Sequence, residues 1–267
     1  MKITVVHGSA RKGNTYALTK EILNSLSKIS NMEISEIYVA ELNLPFCSSC
    51  HLCFSKGEEK CPHYDVVGKI KDMLAGSNGI ILTGTTYMWA LNAAMKNFLD
   101  HFAYLFHRPE FFGKQGMVVS TSAGAGEKNV AKYLKTVMGQ WGINASIIVT
   151  QNTKERRLMS NNAGMAKKQV EKINKAAEKF YGRLKSTRQM PPSLKNIAVH
   201  NSFRAMSLSE FSESERDTQF WSRKGFIDKS YPVKAGLLKS MIGSLVFSSV
   251  NSMIKIIGKF YFMRKAQ

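Results

Sequence analysis

The sequence predicts a three-layer α/β/α fold around a five-stranded parallel sheet, continued by a basic helical C-terminal extension. Three observations carry that expectation. Short Ile- and Val-rich runs alternate with stretches of helical spacing over the first 185 residues, the pattern of strand–helix–strand units with right-handed crossovers. Those runs hold few charges, as strands buried on both faces of a parallel sheet do. The basic residues are uneven: residues 1–150 carry 15 Lys or Arg against 11 Asp or Glu, and residues 151–267 carry 23 against 8.

Strands are expected at 2–6, 33–39, 79–82, 116–120 and 145–150, and helices at 15–29, 65–74, 93–106, 127–141 and 163–185. Five strands in about 150 residues point to the flavodoxin-like order 2-1-3-4-5. Met190-Pro191-Pro192-Ser193 cannot continue a helix. It divides the chain into a domain at 1–189, with a cysteine-bearing loop at 45–64, and the extension at 190–267. With 44% hydrophobic and 21% charged residues, global disorder is excluded. The apolar run after Met1 is too short for a secretory signal, and no 18 consecutive residues are apolar. A cytoplasmic protein is expected.

The first strand leads into Gly8-Ser9-Ala10-Arg11-Lys12-Gly13-Asn14-Thr15 and then a helix. A glycine-bearing loop at a helix start turns unpaired backbone N–H groups toward an anion. Ser9, Asn14 and Thr15 add side-chain donors and Arg11 adds charge. Asn14 stands where a nucleotide-triphosphate loop carries its lysine, and Ala10 breaks the dinucleotide pattern. A single phosphate monoester fits, held by Ser9, Arg11, Gly13, Asn14 and Thr15. The alternative is a plain turn with Asn14 or Thr15 as helix cap.

After the third strand comes Thr85-Thr86-Tyr87-Met88-Trp89, whose rings offer flat faces to a heterocycle. After the fourth comes Thr121-Ser122-Ala123-Gly124-Ala125-Gly126, whose small residues let backbone approach a ring. A phosphate loop and these two loops describe the three sides of a flavin mononucleotide (FMN) site. Tyr87 with Thr85, Thr86, Met88 and Trp89, and Thr121, Ser122, Ala123, Gly124 and Gly126, would frame the ring. No Ser-His-Asp set or carboxylate pair stands out, so hydrolase chemistry has no support.

The first loop resembles the phosphate loop of the NADPH-dependent FMN reductase-like flavoproteins. Tyr87 followed by Met95-Lys96-Asn97-Phe98-Leu99-Asp100 resembles that family's Pro-x-Tyr segment and Lys-x-x-x-Asp helix, with Thr85 in place of the proline. The resemblance covers residues 1–185. It implies FMN-dependent oxidoreduction with NAD(P)H or a ferredoxin-like protein as donor, and leaves the acceptor open. FMN would carry the electrons, so no catalytic side chain is needed.

All four cysteines fall between 47 and 61, spaced C-x2-C-x2-C-x7-C as Cys47, Cys50, Cys53 and Cys61. Ligation of a [4Fe–4S] cluster is one reading; zinc, with His51 or His63 available, and bare redox-active thiols are the others. The spacing also resembles the compact motif of the iron–sulfur flavoproteins, a branch of the same family, which implies a cluster close to FMN. A non-enzymatic partner- or membrane-binding protein with a zinc-stapled loop is the alternative from another class.

Among other residues, His7 reads as a satisfied loop histidine. The aromatic stripe Phe98, Phe102, Tyr104 and Phe106 reads as core or a dimer face, and a homo-oligomer is expected. From Lys229 onward seven residues are basic and none acidic, with apolar residues at helical spacing. The uncharged run 240–254 reads as too short and too polar to span a bilayer. Packing against the protein or a second copy is expected of it, with contact on an anionic membrane surface as the alternative. Nucleic acid is not expected, since charge alone is unspecific.

Overall fold

A computed structural model describes residues 1–153, 167–186, 189–223, 225–227 and 231–265. The strands are β1 (Lys2–His7), β2 (Glu33–Tyr38), β3 (Gly79–Tyr87), β4 (Ala90–Leu91), β5 (Gln115–Ser122) and β6 (Ser146–Asn152). The helices are α1 (Asn14–Ile29), α2 (Leu52–Ser55), α3 (Tyr64–Ala75), α4 (Ala93–Asp100), α5 (Glu127–Gln140), α6 (Lys167–Lys185), α7 (Leu194–Ser207), α8 (Glu215–Trp221) and α9 (Leu237–Lys265). The start expected for α6, at 163, lies outside the described residues.

The parallel strands run β2-β1-β3-β5-β6, and β4 adds an antiparallel hairpin to β3. This is the expected order 2-1-3-4-5. Register explains the layers. Val5, Ile81, Met117 and Ile147 lie side by side across four strands and meet Leu18, Ile22 and Leu26 of α1 and Ile173 and Phe180 of α6. One residue on, Val6, Leu82 and Val118 point the other way and meet Val67, Ile70 and Leu74 of α3 and Val130 and Leu134 of α5.

The helix expected at 93–106 is interrupted. α4 stops at Asp100, and Phe102 leaves helical geometry (φ −107°, ψ 17°) before a 3-10 turn at Ala103–Phe106. That break turns Tyr104 and Leu105 into the core. Phe98, Phe102 and Tyr104 are buried, which settles the aromatic stripe as core.

Beyond residue 190, the Ser193 hydroxyl caps α7 by accepting from the Asn196 amide. Ile197, Tyr231 and Val233 form a small third core with Phe112. The Tyr231 hydroxyl donates to Asn144 Oδ1 at 2.6 Å, and Asn144 Nδ2 donates to the Met190 carbonyl at 3.1 Å. α9 packs along α7. Its segment Leu237–Gly258, 22 residues with mean hydropathy 1.4, is long and apolar enough to cross a membrane by length and composition. The uncharged run 240–254 is the 15-residue middle of that segment. Leu237 and Leu238 before Lys239, and Ile256 and Ile257 after Lys255, lengthen the apolar stretch past its flanking charges.

Candidate functional site

The first loop is seated by Gly8. A Cβ there would fall 2.5 Å from the Thr83 carbonyl oxygen and 2.7 Å from Met95 Cγ, so only glycine lets the loop rest on β3 and α4. The Gly8 amide donates to Thr83 Oγ1 at 3.2 Å, and buried Asn92 Nδ2 donates to the Gly8 carbonyl at 2.5 Å. The chain then enters α1 with Gly13 as N-cap and no capping side chain. This corrects Asn14 or Thr15 as the cap: the positive end of α1 is left for an anion. Asn14 Nδ2 instead reaches Thr153 Oγ1 at 3.1 Å. Thr15 is buried, its hydroxyl between Thr85 Oγ1 at 3.0 Å and Thr121 Oγ1 at 2.6 Å. The Thr15 side chain therefore joins the three loops rather than facing a ligand. Ser9 is half-buried and Arg11 exposed.

His7, at the end of β1, is buried. It bonds Glu36 Oε2 at 2.7 Å and stacks on Tyr38 with ring centroids 4.6 Å apart. Burial holds its pKa below the usual value against the pull of Glu36. It is the last residue of β1 rather than a loop residue, and only half satisfied: Nε2 is paired, while Nδ1 is buried with no hydrogen-bond partner among the described residues.

Beyond Thr85 and Thr86, β3 and β4 close through a two-residue turn at Met88 and Trp89. Both adopt left-handed φ, 46° and 64°, in a turn that normally takes Asn-Gly. Non-glycine residues there cost of order 1–3 kcal/mol each. Tyr87, Met88 and Trp89 project into solvent, Met88 at 95% exposure. Across the rim, Thr121 and Ser122 are buried, and Ser122 Oγ donates to Glu127 Oε2 at 2.5 Å. Ala123 and Gly124 are exposed. Gly126 has φ 97°, and a Cβ on it would fall 2.8 Å from Thr86 Cγ2 and 3.1 Å from Trp89 Cα, so glycine lets the third loop lie against the hairpin. Thr86 Oγ1 is buried without a hydrogen-bond partner among the described residues. The three predicted loops thus meet at one rim, outside the carboxyl ends of β1, β3 and β5, where strand order reverses. An uncapped helix start, two glycine-dependent close approaches and an unpaired hydroxyl suit a phosphate-bearing planar group.

The cysteine loop lies between β2 and α3. Ser49 and His51 take left-handed φ of 52° and 59°, turning the chain between successive cysteines. Cys47, Cys50, Cys53 and Cys61 all line one cavity of about 320 Å³, with His63, Lys96 and His101. None is in a disulfide. Burial first, then the neighbouring Cys61 and Cys47, push the Cys53 thiol up to about 11. Among the described residues no three His, Cys, Asp or Glu side chains are placed to hold a single ion. Asn97 of α4 holds the loop's start, donating to the Leu44 and Pro45 carbonyls at 3.2 and 3.0 Å and accepting from the Cys47 amide at 3.0 Å. α4 also carries the predicted Lys96–Asp100 pair.

Sequence reasoning missed the clamp beneath the cysteines. Arg108, 1% exposed, donates to the Cys53 carbonyl at 2.6 Å, the Phe54 carbonyl at 3.4 Å, Glu58 Oε2 at 3.1 Å, and Asp217 of α8. Asp217 also bonds His107 Nδ1 at 2.8 Å, and Ser214 Oγ donates to the Phe54 carbonyl at 2.6 Å. Lys71 bonds Glu58 at 2.7 Å. Burial would raise the Glu58 pKa, but the Lys71 bond and the surrounding charges overcome it and bring it to about 2. A second cavity of about 450 Å³ shares His51 and Phe54 with the first and is lined also by Phe203, Phe211 and Ile254.

The profile of a family described as NADPH-dependent FMN reductase matches residues 1–153. An iron-sulfur flavoprotein of Archaeoglobus fulgidus is 26% identical over 229 residues, covering 85% of this chain and 100% of that one. An iron-sulfur flavoprotein of Clostridioides difficile is 24% identical over 239 residues, with the same two coverages, 85% and 100%. The solved structure of an azoreductase from Bacillus anthracis str. Sterne has a TM-score of 0.54 at 15% identity, covering 67% of this chain and 100% of that one. The two share the fold.

Proposed function

The chain belongs to the NADPH-dependent FMN reductase family, and from that premise we propose that it pairs FMN with a [4Fe–4S] cluster held by Cys47, Cys50, Cys53 and Cys61. It is an FMN-dependent NAD(P)H oxidoreductase. The observation that carries the cluster is that all four thiols, spaced C-x2-C-x2-C-x7-C, line one cavity. A cluster assigns each cysteine to a separate iron, whereas zinc gathers its ligands about one centre. Reactive thiols are marked by a lowered pKa. Burial moves Cys53 in the opposite direction. The names of the two curated relatives support the same reading.

In this reading Ser9, Arg11, Gly13 and Asn14, with the first amides of α1, hold the FMN phosphate. Thr15 ties the phosphate loop to Thr85 and Thr121. Thr86, Tyr87, Met88 and Trp89 cover the ring from one side, and Ser122, Ala123, Gly124 and Gly126 approach it from the other. The chemistry such groups would supply is hydride acceptance from NAD(P)H at FMN and single-electron exchange with a ferredoxin-like or small acceptor at the cluster. The chain's own part is to orient, to exclude water and to fix the two groups on either side of α4. Asn92 and Met95 of that helix support the first loop; Asn97 and His101 support the cysteine loop. The working unit is a homo-oligomer.

The experiment is an anaerobic purification of the native chain and of Cys53→Ala, read by visible spectrum, iron, zinc and FMN content. Near four irons and one FMN per chain are expected for the native protein, and FMN without iron for the variant. Zinc, or four free thiols with FMN, would overturn the cluster and leave the flavin assignment standing.

A further inference from the structure

We propose that the outer face of α9 is a docking surface for an anionic lipid membrane, on which the helix lies flat. Packing and membrane contact are opposite faces of one helix here. The inner face is fixed at three points along its length. Lys239 Nζ donates to the Pro192 carbonyl at 2.8 Å, the Arg204 guanidinium sits 4.4 Å over the Phe247 ring, and a Cβ on Gly258 would fall 2.3 Å from Phe211. The outer face holds Leu238, Met241, Leu245, Met253 and Ile256, each more than half exposed. A stripe of that length in water marks an interaction surface.

The inner fixings set the orientation. To stand across a bilayer, α9 would have to leave α7, Pro192 and Phe211; held lengthwise, it presents its outer side lengthwise. Ser244, Ser248, Ser249 and Ser252 are also exposed, which suits the headgroup boundary better than the hydrocarbon centre. Charge selects the occupant. Apart from Lys239, which is engaged inward, α9 carries Lys255, Lys259, Arg264 and Lys265 and no acidic residue, with Lys255 exposed, so a second copy of α9 lying alongside in parallel would bring like charges together, whereas an anionic leaflet neutralises them. Ile254, turned inward, lines the cavity beside the cysteines, so the docked helix is also a wall of that cavity.

The test is sedimentation of full-length, FMN-containing protein with phosphatidylcholine vesicles and with phosphatidylglycerol–phosphatidylcholine vesicles. Binding to the anionic vesicles should exceed binding to the neutral ones by roughly tenfold or more and weaken with salt. A Leu238→Ser, Leu245→Ser, Ile256→Ser variant should lose it while keeping its FMN content and melting temperature. Equal binding to both vesicles would overturn the anionic partner. Retention through alkaline carbonate washing would overturn the flat orientation in favour of a span. Absence of vesicle binding, with a concentration-dependent dimer that the triple variant abolishes, would assign the face to a second copy instead.

Discussion

A methyl group on Gly8 would have to displace the Thr83 carbonyl or the body of Met95, one a strand backbone and the other in the core. Gly8→Ala is therefore expected to lift the first loop off β3, at a cost of about 1–3 kcal/mol, and to weaken FMN binding at least about tenfold by fluorescence titration. Native affinity in that variant would mean that the loop does not hold the cofactor. His200 gives a second test. It lies buried against Trp221 and Tyr231, with ring centroids 4.6 Å away in each case and no hydrogen-bond partner among the described residues. Burial, then the charge of Arg204, lowers its pKa from 6.5 to about 3. The unfolded chain takes up this proton near pH 6.5 and the folded chain only near pH 3. Stability is thus complete above pH 6.5 and falls as pH drops through that window, by up to about 1.4 kcal/mol per unit. Melts of His200→Phe across the same window should show a shallower fall, and parallel curves would refute it.

At the scale of elements, the clamp makes α8 a support of the cysteine loop. Asp217→Asn leaves Arg108 buried beside a weaker partner, and removal of one member of such a pair costs about 3–5 kcal/mol. The expected signature is a lower melting temperature and faster alkylation of Cys47, Cys50, Cys53 and Cys61 in metal-free protein, with FMN affinity within about twofold because the three flavin loops touch none of these groups. FMN lost in step with thiol protection would show that the two sites are not separable. The five parallel strands and the cysteine spacing were legible because each depends on residues close together in sequence. The β3–β4 hairpin was not, since Met88-Trp89 carries no Asn-Gly signal for a left-handed turn. Nor was the clamp: Arg108 and Asp217 lie 109 residues apart, and nothing local to either announces the other. Nor was the role of Thr15, whose hydroxyl is occupied by Thr85 and Thr121, contacts that exist only once the sheet is assembled.

At the scale of the molecule, the two main cores are complete before residue 186, while the third core and the clamp need the extension. A chain ending at residue 189 is expected to bind FMN yet to lose iron readily and to bind a hydrophobic dye at the uncovered Phe112. A truncated chain that keeps its iron as firmly as the whole one would remove the extension from the site. The same arrangement sets a clock on biosynthesis. The last strand of the sheet ends at Asn152, and Asp217 follows about 65 residues later. At a translation rate of about 5–20 residues per second that is roughly 3–13 seconds. During that interval the four thiols have already left the ribosome on a loop that Asp217 has not yet locked, within reach of whatever metal or oxidant the surroundings supply.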